Sequence, residues 1–169
     1  MGIFWKIKKV LDRILETLVA VTMATLLVAV VWQVISRKVL NDPSHWTEEL
    51  AIFLLIWVGL LGGSVALNRG AHLGIDYVVA KLSPRRRLYV EIFSFGIVAL
   101  FSFFVMVVGG FTLVREILKL GQTSPALGWK MGHVYLALPI SGFFLTLYSI
   151  EFLILRIIAL VRGEMPVQE

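Results

Sequence analysis

Three histidines, His45, His72 and His133, have the side chains in this sequence best suited to bind haem or a metal ion, because neutral imidazole is a ligand for both. A haem-binding membrane bundle needs paired histidines in its interior. The apolar segments described below place His45 and His133 at one membrane boundary and His72 at the other. A pair of His45 and His133 could still meet at that boundary. We interpret all three as solvated side chains, and we expect no cofactor and no metal site.

Other catalytic chemistry has less support. The chain has no cysteine, which excludes disulfides, thiolate metal sites and cysteine nucleophiles. The sequence shows no nucleophile–base pair, phosphate-binding glycine loop or carboxylate dyad. Polar side chains inside the apolar segments are mainly small hydroxyls, which can bond back to their own helix and form no pathway for a solute. We therefore expect neither an enzyme nor a chain that transports a solute alone.

Long apolar segments determine the predicted fold. Hydrophobic residues make up 59% of the chain and charged residues 16%, whereas soluble domains average about 45–50% and about 25%. Four segments without a charge each reach the roughly 20 residues that a helix needs to cross a bilayer; they are 17–36, 50–68, 92–114 and 131–150. The sequence predicts an all-α integral membrane protein. Residues 1–169 form one four-helix domain, with helices over about 14–37, 46–68, 84–120 and 129–160.

The first segment could instead be a secretory signal, because basic residues precede it. Its apolar run is longer than the roughly 7–15 residues typical of a signal, and no A-x-A-like cleavage site follows it. We therefore expect a retained membrane helix.

The distribution of basic residues predicts the orientation. Of the sixteen Lys and Arg residues, eleven fall in the two tails and the middle connection, and five fall in the other two connections. Basic residues are enriched in short cytoplasmic segments of membrane proteins, so both termini are expected in the cytoplasm. The formal net charge of +5 is thus explained by orientation and lipid contact, and we expect no nucleic-acid partner.

Two segments have the pattern of helices that lie in the headgroup layer. In residues 1–13 an apolar stripe is opposed by basic side chains, and residues 71–82 repeat an amphipathic pattern between the second and third helices. Nearby basic side chains are expected to contact membrane phospholipids and fix the topology; they are Lys6, Lys8, Lys9, Arg85, Arg86 and Arg87.

A small-residue face on the second helix offers a packing surface. Gly59, Gly62 and Gly63 include a G-x-x-x-G spacing, which lets two helices approach closely in lipid. The spacing leaves open whether the neighbouring helix belongs to this chain or to a partner.

Three short motifs carry a family resemblance. One opens the second helix, one follows it, and one precedes the fourth; they are Trp46-Thr47-Glu48-Glu49-Leu50-Ala51, Arg69-Gly70-Ala71-His72-Leu73-Gly74-Ile75-Asp76 and Thr123-Ser124-Pro125-Ala126-Leu127-Gly128. Their order and the predicted topology resemble the small membrane subunit of tripartite ATP-independent periplasmic (TRAP) transporters, the DctQ-like family. The resemblance spans nearly the whole chain.

This resemblance implies a non-catalytic scaffold in the bacterial inner membrane. In such transporters a large sodium-coupled subunit moves the substrate by an elevator-like movement, and a periplasmic binding protein delivers an organic acid. The small subunit would bind the immobile part of the large one and widen its anchorage. The chain is most similar to the sialic acid type, with C4-dicarboxylates as the other substrate class.

Residue roles follow from the resemblance as hypotheses. Partner contacts are expected from the glycine face and from residues at the periplasmic side, which are Gly59, Gly62, Gly63, Trp46, Glu48, Glu49 and Pro125. The two glutamates would orient the second helix and touch the binding protein, although acidic groups in a first turn also match the helix dipole. Arg69, His72 and Asp76 would tie the cytoplasmic end of that helix to the interfacial helix.

Two other functions stay open. A membrane-anchor subunit of a respiratory complex would bind haem or quinone. A small self-assembling transporter or channel would take up its substrate without any partner.

Overall fold

The computed structural model describes residues 2–70 and 84–162 of the chain. Within these residues, four helices are long and apolar enough to cross a membrane, which confirms the prediction of four such helices. We name them spans 1 to 4 in chain order; they are Lys8–Lys38, His45–Asn68, Arg85–Lys119 and Met131–Arg162.

The individual helices follow these spans with a few interruptions. Their bounds are α1 Gly2–Lys38, α2 His45–Asn68, α3 Pro84–Phe101, a π-helical segment Ser102–Gly109, α4 Gly110–Lys119, α5 Met131–Tyr135 and α6 Ala137–Arg162. Span 3 thus comprises α3, the π-helical segment and α4, and span 4 comprises α5 and α6. The connections before α2 and after α4 form the loop end of the molecule. The opposite end, where α1 and α3 begin and α6 ends, is the terminal end.

The spans pack as a row in the order 1, 2, 4, 3. α1 lies along α2, α2 lies along α6, and α6 lies along α3 and the π-helical segment. A helix at the edge of a row has one long neighbour, so much apolar surface stays uncovered within the described residues. In the most apolar part of span 1, only 11% of the residues are buried. This surface is available to lipid or to another chain.

The N-terminus differs from the prediction, because it forms no separate interfacial helix and continues into span 1. α1 runs without a break from Gly2 to Lys38, a length of about 55 Å at 1.5 Å per residue. No glycine or proline follows Gly2 within it, and its polar Lys8 and Asp12 have partners on α6. The second predicted interfacial helix, residues 71–82, lies outside the described residues.

Pro139 explains the interruption of span 4. α5 ends at Tyr135, four residues before Pro139, and α6 begins at Ala137. A proline has no N–H for the carbonyl of the residue four positions before it, and its ring clashes with that carbonyl. The helix therefore breaks one turn ahead of the proline.

Spans 3 and 4 approach closely at three glycines, of which Gly132 faces the side chain of Leu118. A Cβ atom on Gly142 would lie 2.6 Å from the Met106 Cβ, and a Cβ atom on Gly110 would lie 3.0 Å from the Pro139 Cδ. A larger side chain at either position would push the two helices apart. These glycines, rather than those of α2, set the internal packing at this contact.

Buried hydroxyls join neighbouring spans in the apolar interior. The Ser64 hydroxyl donates to the Ser141 carbonyl across α2 and α6 at 3.1 Å. The hydroxyls of Ser102 and Thr146 lie 2.9 Å apart, and Thr146 also donates to the carbonyl of Gly142 on its own helix. The bond from Thr146 stays within its own helix, as the sequence predicted for these hydroxyls, whereas Ser64 and Ser102 also bond to a neighbouring helix.

Candidate functional site

A hydrogen bond between Glu49 and Leu127, which we call the clasp, joins two segments at the loop end. Glu49, in the first turns of α2, accepts a hydrogen bond from the backbone N–H of Leu127 at 2.9 Å through its Oε2. Leu127 belongs to the connection between α4 and α5, so this bond ties span 2 to that connection. The sequence assigned Glu49 either to the helix start or to a binding protein, and the structure directs its carboxylate to a loop of its own chain.

The clasped loop has an ordered internal structure. Ser124 donates its N–H to the Trp129 carbonyl at 2.8 Å and accepts the N–H of Gly128 on its own carbonyl at 3.0 Å. The Ser124 hydroxyl accepts the N–H of Trp129 at 3.2 Å. Gly128 has φ +67, a conformation that glycine adopts without a Cβ clash. The loop therefore presents a defined surface.

The other residues assigned to this side are exposed around the clasp. The Trp46 side chain is 49% exposed, and Glu48 and Pro125 are exposed as well. Contact between these residues and a binding protein stays a prediction. Their position at the loop end leaves them accessible in this chain.

A polar junction connects α1 to α6 at the terminal end. The Tyr148 hydroxyl, on a side chain that is 1% exposed, donates to Asp12 Oδ1 at 2.6 Å. One turn nearer the terminal end, Lys8 Nζ donates to Glu151 Oε1 at 2.5 Å, and both side chains are largely buried. Because α2 separates α1 from α6 over most of their length, this junction is where spans 1 and 4 meet.

A second ion-pair group connects α3 to α6 at the same end. Glu91 accepts from Arg87 at 2.8 Å and faces Arg156 at 2.7 Å, with 12% of its side chain exposed. Removing one member of a buried charge group leaves the others without compensation, which is strongly destabilising. Sequence reasoning missed both groups, although Glu91 and Glu151 directly flank two of the uncharged segments and were a usable signal there.

The predicted cluster of Arg69, His72 and Asp76 is described only at Arg69. This side chain pairs with Glu16 on α1 at 2.9 Å, and its link to the interfacial helix stays a prediction. The arginine is 66% exposed and the glutamate 40%, so the pair contributes little stability. His72 and Asp76 lie outside the described residues.

The predicted lipid-contacting residues divide into two groups. Lys8 and Arg87 form the ion pairs described above. The remaining members are exposed at the terminal end; they are Lys6, Lys9, Arg85 and Arg86. Their contact with phospholipid stays a prediction.

The glycine face of α2 is open. A Cβ atom built on Gly59, Gly62 or Gly63 would meet no described atom within 4 Å beyond the helix's own backbone. On the same side of α2, Ile52 is 52% exposed and Leu55 is 60% exposed. We define the glycine face by these five residues. No described helix approaches the three glycines closely, so any close neighbour comes from outside the described residues.

The two described histidines belong to no candidate metal site. His45 and His133 are exposed at the loop end, and His72 lies outside the described residues. Within the described ranges, no group of three or more His, Cys, Asp or Glu side chains is placed to hold a metal ion.

The fold and these surfaces define an all-helical, multi-pass membrane protein with open apolar faces. The chain belongs to the DctQ family, since its residues 26–159 match the model described as tripartite ATP-independent periplasmic transporters, DctQ component. The resemblance inferred from the three motifs is thereby confirmed.

Individual relatives are TRAP transporter permease proteins. The chain is 31% identical over 150 residues to the sialic acid TRAP transporter small permease protein SiaQ of Vibrio cholerae serotype O1, covering 86% of this chain and 82% of that protein. It is 31% identical over 122 residues to the C4-dicarboxylate TRAP transporter small permease protein DctQ of Rhodobacter capsulatus, covering 72% and 52%. A 61-residue stretch is 38% identical to the sialic acid TRAP transporter permease protein SiaT of Haemophilus influenzae, covering 36% of this chain and 10% of that protein. These matches do not support a respiratory anchor.

Proposed function

We propose that this protein is the non-catalytic small permease subunit that scaffolds the large, sodium-coupled subunit of a TRAP transporter. The observation that carries the proposal is the combination of family membership with a row of apolar helices whose faces are largely uncovered. A helix row without a polar pathway through its described part suits anchorage better than solute movement.

The relatives support a large permease subunit as the partner. In SiaT of Haemophilus influenzae, the stretch similar to this chain covers only 10% of a sialic acid TRAP transporter permease protein. A homologous segment therefore exists within a far longer permease chain. We infer that this chain meets its large partner as a separate polypeptide, with both termini in the cytoplasm and the loop end in the periplasm.

Sialic acid is the favoured substrate of the complex, delivered by a periplasmic binding protein. Support comes from the match to SiaQ, which covers 82% of that protein, against 52% for the C4-dicarboxylate relative at the same identity. C4-dicarboxylates are the second candidate class. The clasped loop and the exposed Trp46, Glu48 and Pro125 are the proposed contact surface for the binding protein.

Reconstitution tests this function. Proteoliposomes holding this chain with its large subunit, and supplied with the binding protein, should accumulate labelled sialic acid when a sodium gradient is imposed. Vesicles with this chain alone, or with the large subunit alone, should accumulate little. Uptake by this chain alone would reverse the assignment in favour of a self-assembling transporter. Uptake of a labelled C4-dicarboxylate in place of sialic acid would change the substrate but keep the role.

A further inference from the structure

Spans 3 and 4 are both interrupted, and their interruptions lie side by side. In span 3 the π-helical segment ends at Gly109 and α4 begins at Gly110. In span 4 the helix breaks at Leu136, between α5 and α6. A Cβ atom on Gly110 would lie 3.0 Å from the Pro139 Cδ and 3.3 Å from the Leu138 Cγ. The start of α4 therefore touches the first turn of α6, and the two interruptions lie at one depth.

Each interruption is a point at which a helix bends easily. Sharp bends in helices occur at prolines and at π-helical turns, and π-helical turns are rare and are frequently found at functional sites. Pro139 leaves the carbonyl of Tyr135 without its helical N–H partner. Gly109 and Gly110 have no side chain that restricts the backbone where the π-helical segment ends. Two such points in neighbouring helices at one depth define a common axis of bending.

The residues beyond these interruptions form a unit. We call residues 110–135, which comprise α4, the connection after it and α5, the loop-end lobe. α4 and α5 contact each other more extensively than either of them contacts α2 or α6, and Gly132 of α5 lies against the Leu118 side chain of α4. At the base of the connection, the Met131 N–H donates to the Gln122 carbonyl at 2.9 Å. Together with the bonds of Ser124 described above, these contacts make the lobe one body.

The clasp is the polar tie between this lobe and span 2. Among the described residues, Glu49 is the one whose side chain forms a hydrogen bond between α2 and the connection, to the N–H of Leu127. Much of the lobe surface is open, since Phe111 is 58% exposed and Leu120 is 69% exposed. A segment with few buried contacts to its surroundings opens at a low cost in free energy. A single bond at the tip of the lobe therefore has a large influence on its position.

We infer that the loop-end lobe pivots as one body on the paired interruptions at Gly109–Gly110 and Leu136–Pro139, and that the clasp holds it against span 2. When the clasp opens, α4 and α5 tilt relative to α3 and α6 while their own helical bonds remain intact. Since the lobe carries Pro125 and Trp129, the surface that the chain presents at the loop end has two positions, and one carboxylate selects between them. The pivot is a property of this chain and does not depend on the identity of its partner.

Distances between spin labels test the pivot in the full chain, reconstituted in lipid nanodiscs. The chain has no cysteine, so labelled cysteines can be introduced in pairs. Lys38→Cys with Lys119→Cys joins the end of span 1 to the lobe. Lys9→Cys with Tyr89→Cys, the control pair, joins spans 1 and 3 at the terminal end. The labels of each pair lie at least two helix spacings of about 8–10 Å apart, a separation that double electron–electron resonance measures.

Removing the clasp should release the lobe alone. With Glu49 in place, we expect each label pair to give a single narrow distribution of distances. Glu49→Ala should at least double the width of the distribution between the labels at positions 38 and 119, and it should leave the control pair unchanged. Glu48→Ala removes the exposed neighbouring carboxylate and should change neither distribution.

A second set of substitutions tests where the pivot lies. Gly109→Ala adds a Cβ atom whose nearest neighbour, the Phe104 carbonyl oxygen, is 3.6 Å away, so it stiffens the backbone without a clash. Pro139→Ala restores an N–H for the Tyr135 carbonyl. Added together to Glu49→Ala, these two changes should return the distribution to its narrow width.

Three results would overturn the proposal. An unchanged width in Glu49→Ala would show that the clasp does not hold the lobe. Equal broadening of both label pairs would show a general loosening of the chain. Broadening that persists when Gly109→Ala and Pro139→Ala are added would show that the bend lies elsewhere.

Discussion

Two acidic side chains, Glu49 and Asp12, hold opposite ends of the molecule by similar means. Each accepts a hydrogen bond from a distant part of the chain, from the Leu127 N–H in the case of Glu49 and from the Tyr148 hydroxyl in the case of Asp12. Hydrogen bonds to charged groups are stronger than those between neutral groups. Each of these two bonds can be removed by a single substitution.

The bond at the terminal end is tested with Tyr148→Phe. The variant keeps the buried ring and removes the hydroxyl that donates to Asp12, so we expect the free energy of unfolding to fall by about 1–3 kcal/mol. The measurement is denaturant-induced unfolding in detergent micelles. Tyr89→Phe, at a 60% exposed position, is the matched control and should change little. Equal stability of the two variants would contradict a stabilising role for this bond.

The bond at the loop end is tested with Glu49→Ala. Without its acceptor the connection between α4 and α5 should open more often, and exposed, locally open segments are preferred sites of proteolysis. We expect trypsin to cleave after Lys130 several-fold faster in detergent, followed by mass spectrometry of the fragments. Glu48→Ala, which removes the exposed neighbouring carboxylate, should leave the cleavage rate unchanged. A similar acceleration in both variants would argue against the clasp.

For these residues the sequence indicated which side chains are important, but it did not predict the groups that they bond to. The motif around Glu49 and the motif around Pro125 were both recognised, but a hydrogen bond between them depends on how two distant segments fold together. The same holds for Lys8, which the charge pattern assigned to lipid and the structure pairs with Glu151. A local pattern reports the charge of a residue and carries no information on which helix lies opposite it.

At the scale of helices, glycines have two distinct uses. Gly110 and Gly142 allow spans 3 and 4 to touch, whereas the glycines of α2 face no described atom. The G-x-x-x-G spacing identified the open face and overlooked the closed contact. Gly110 and Gly142 lie on different helices, so no spacing along the chain relates them.

Two glycine substitutions test this division. Gly63→Leu adds a side chain where the described residues leave space, so we expect the isolated subunit to unfold as the wild type does. Recovery of the large subunit should fall roughly tenfold, a loss of about 1.4 kcal/mol in association. Gly142→Leu forces a clash with Met106 and should destabilise the subunit itself by about 1–3 kcal/mol or more. The measurements are thermal unfolding and co-purification, and unchanged recovery with Gly63→Leu would remove the glycine face from the interface.

The positions of the four spans were predictable from the sequence, and the start of the first helix was not. Uncharged length located all four spans, because a helix satisfies the backbone hydrogen bonds of a single segment in hydrocarbon within that segment. The pattern of residues 1–13 predicted an amphipathic helix, but a pattern does not reveal whether water or another helix covers the polar side. Contacts of Lys8 and Asp12 with α6 settle that point in favour of a continuous α1.

At the scale of the whole molecule, the orientation of the four spans across the membrane can be measured by labelling. The excess of basic residues predicts the terminal end in the cytoplasm. Since the chain has no cysteine, single cysteines at Ala126 and at Lys9 report the two ends separately. A membrane-impermeant maleimide added to intact spheroplasts should label Ala126→Cys at once and Lys9→Cys only after lysis. The reverse pattern would invert the topology.

The uncovered faces of the row also bear on the order of events in the membrane. Lipid tails are as apolar as the side chains they touch, so contact with a partner gains no hydrophobic energy and depends on close fit and a few hydrogen bonds. The same faces contact lipid before assembly and the partner protein after it. Insertion of this subunit into the membrane and its association with a partner are therefore separable stages. A copy made in excess should remain folded as a monomer in the lipid bilayer until a partner binds it.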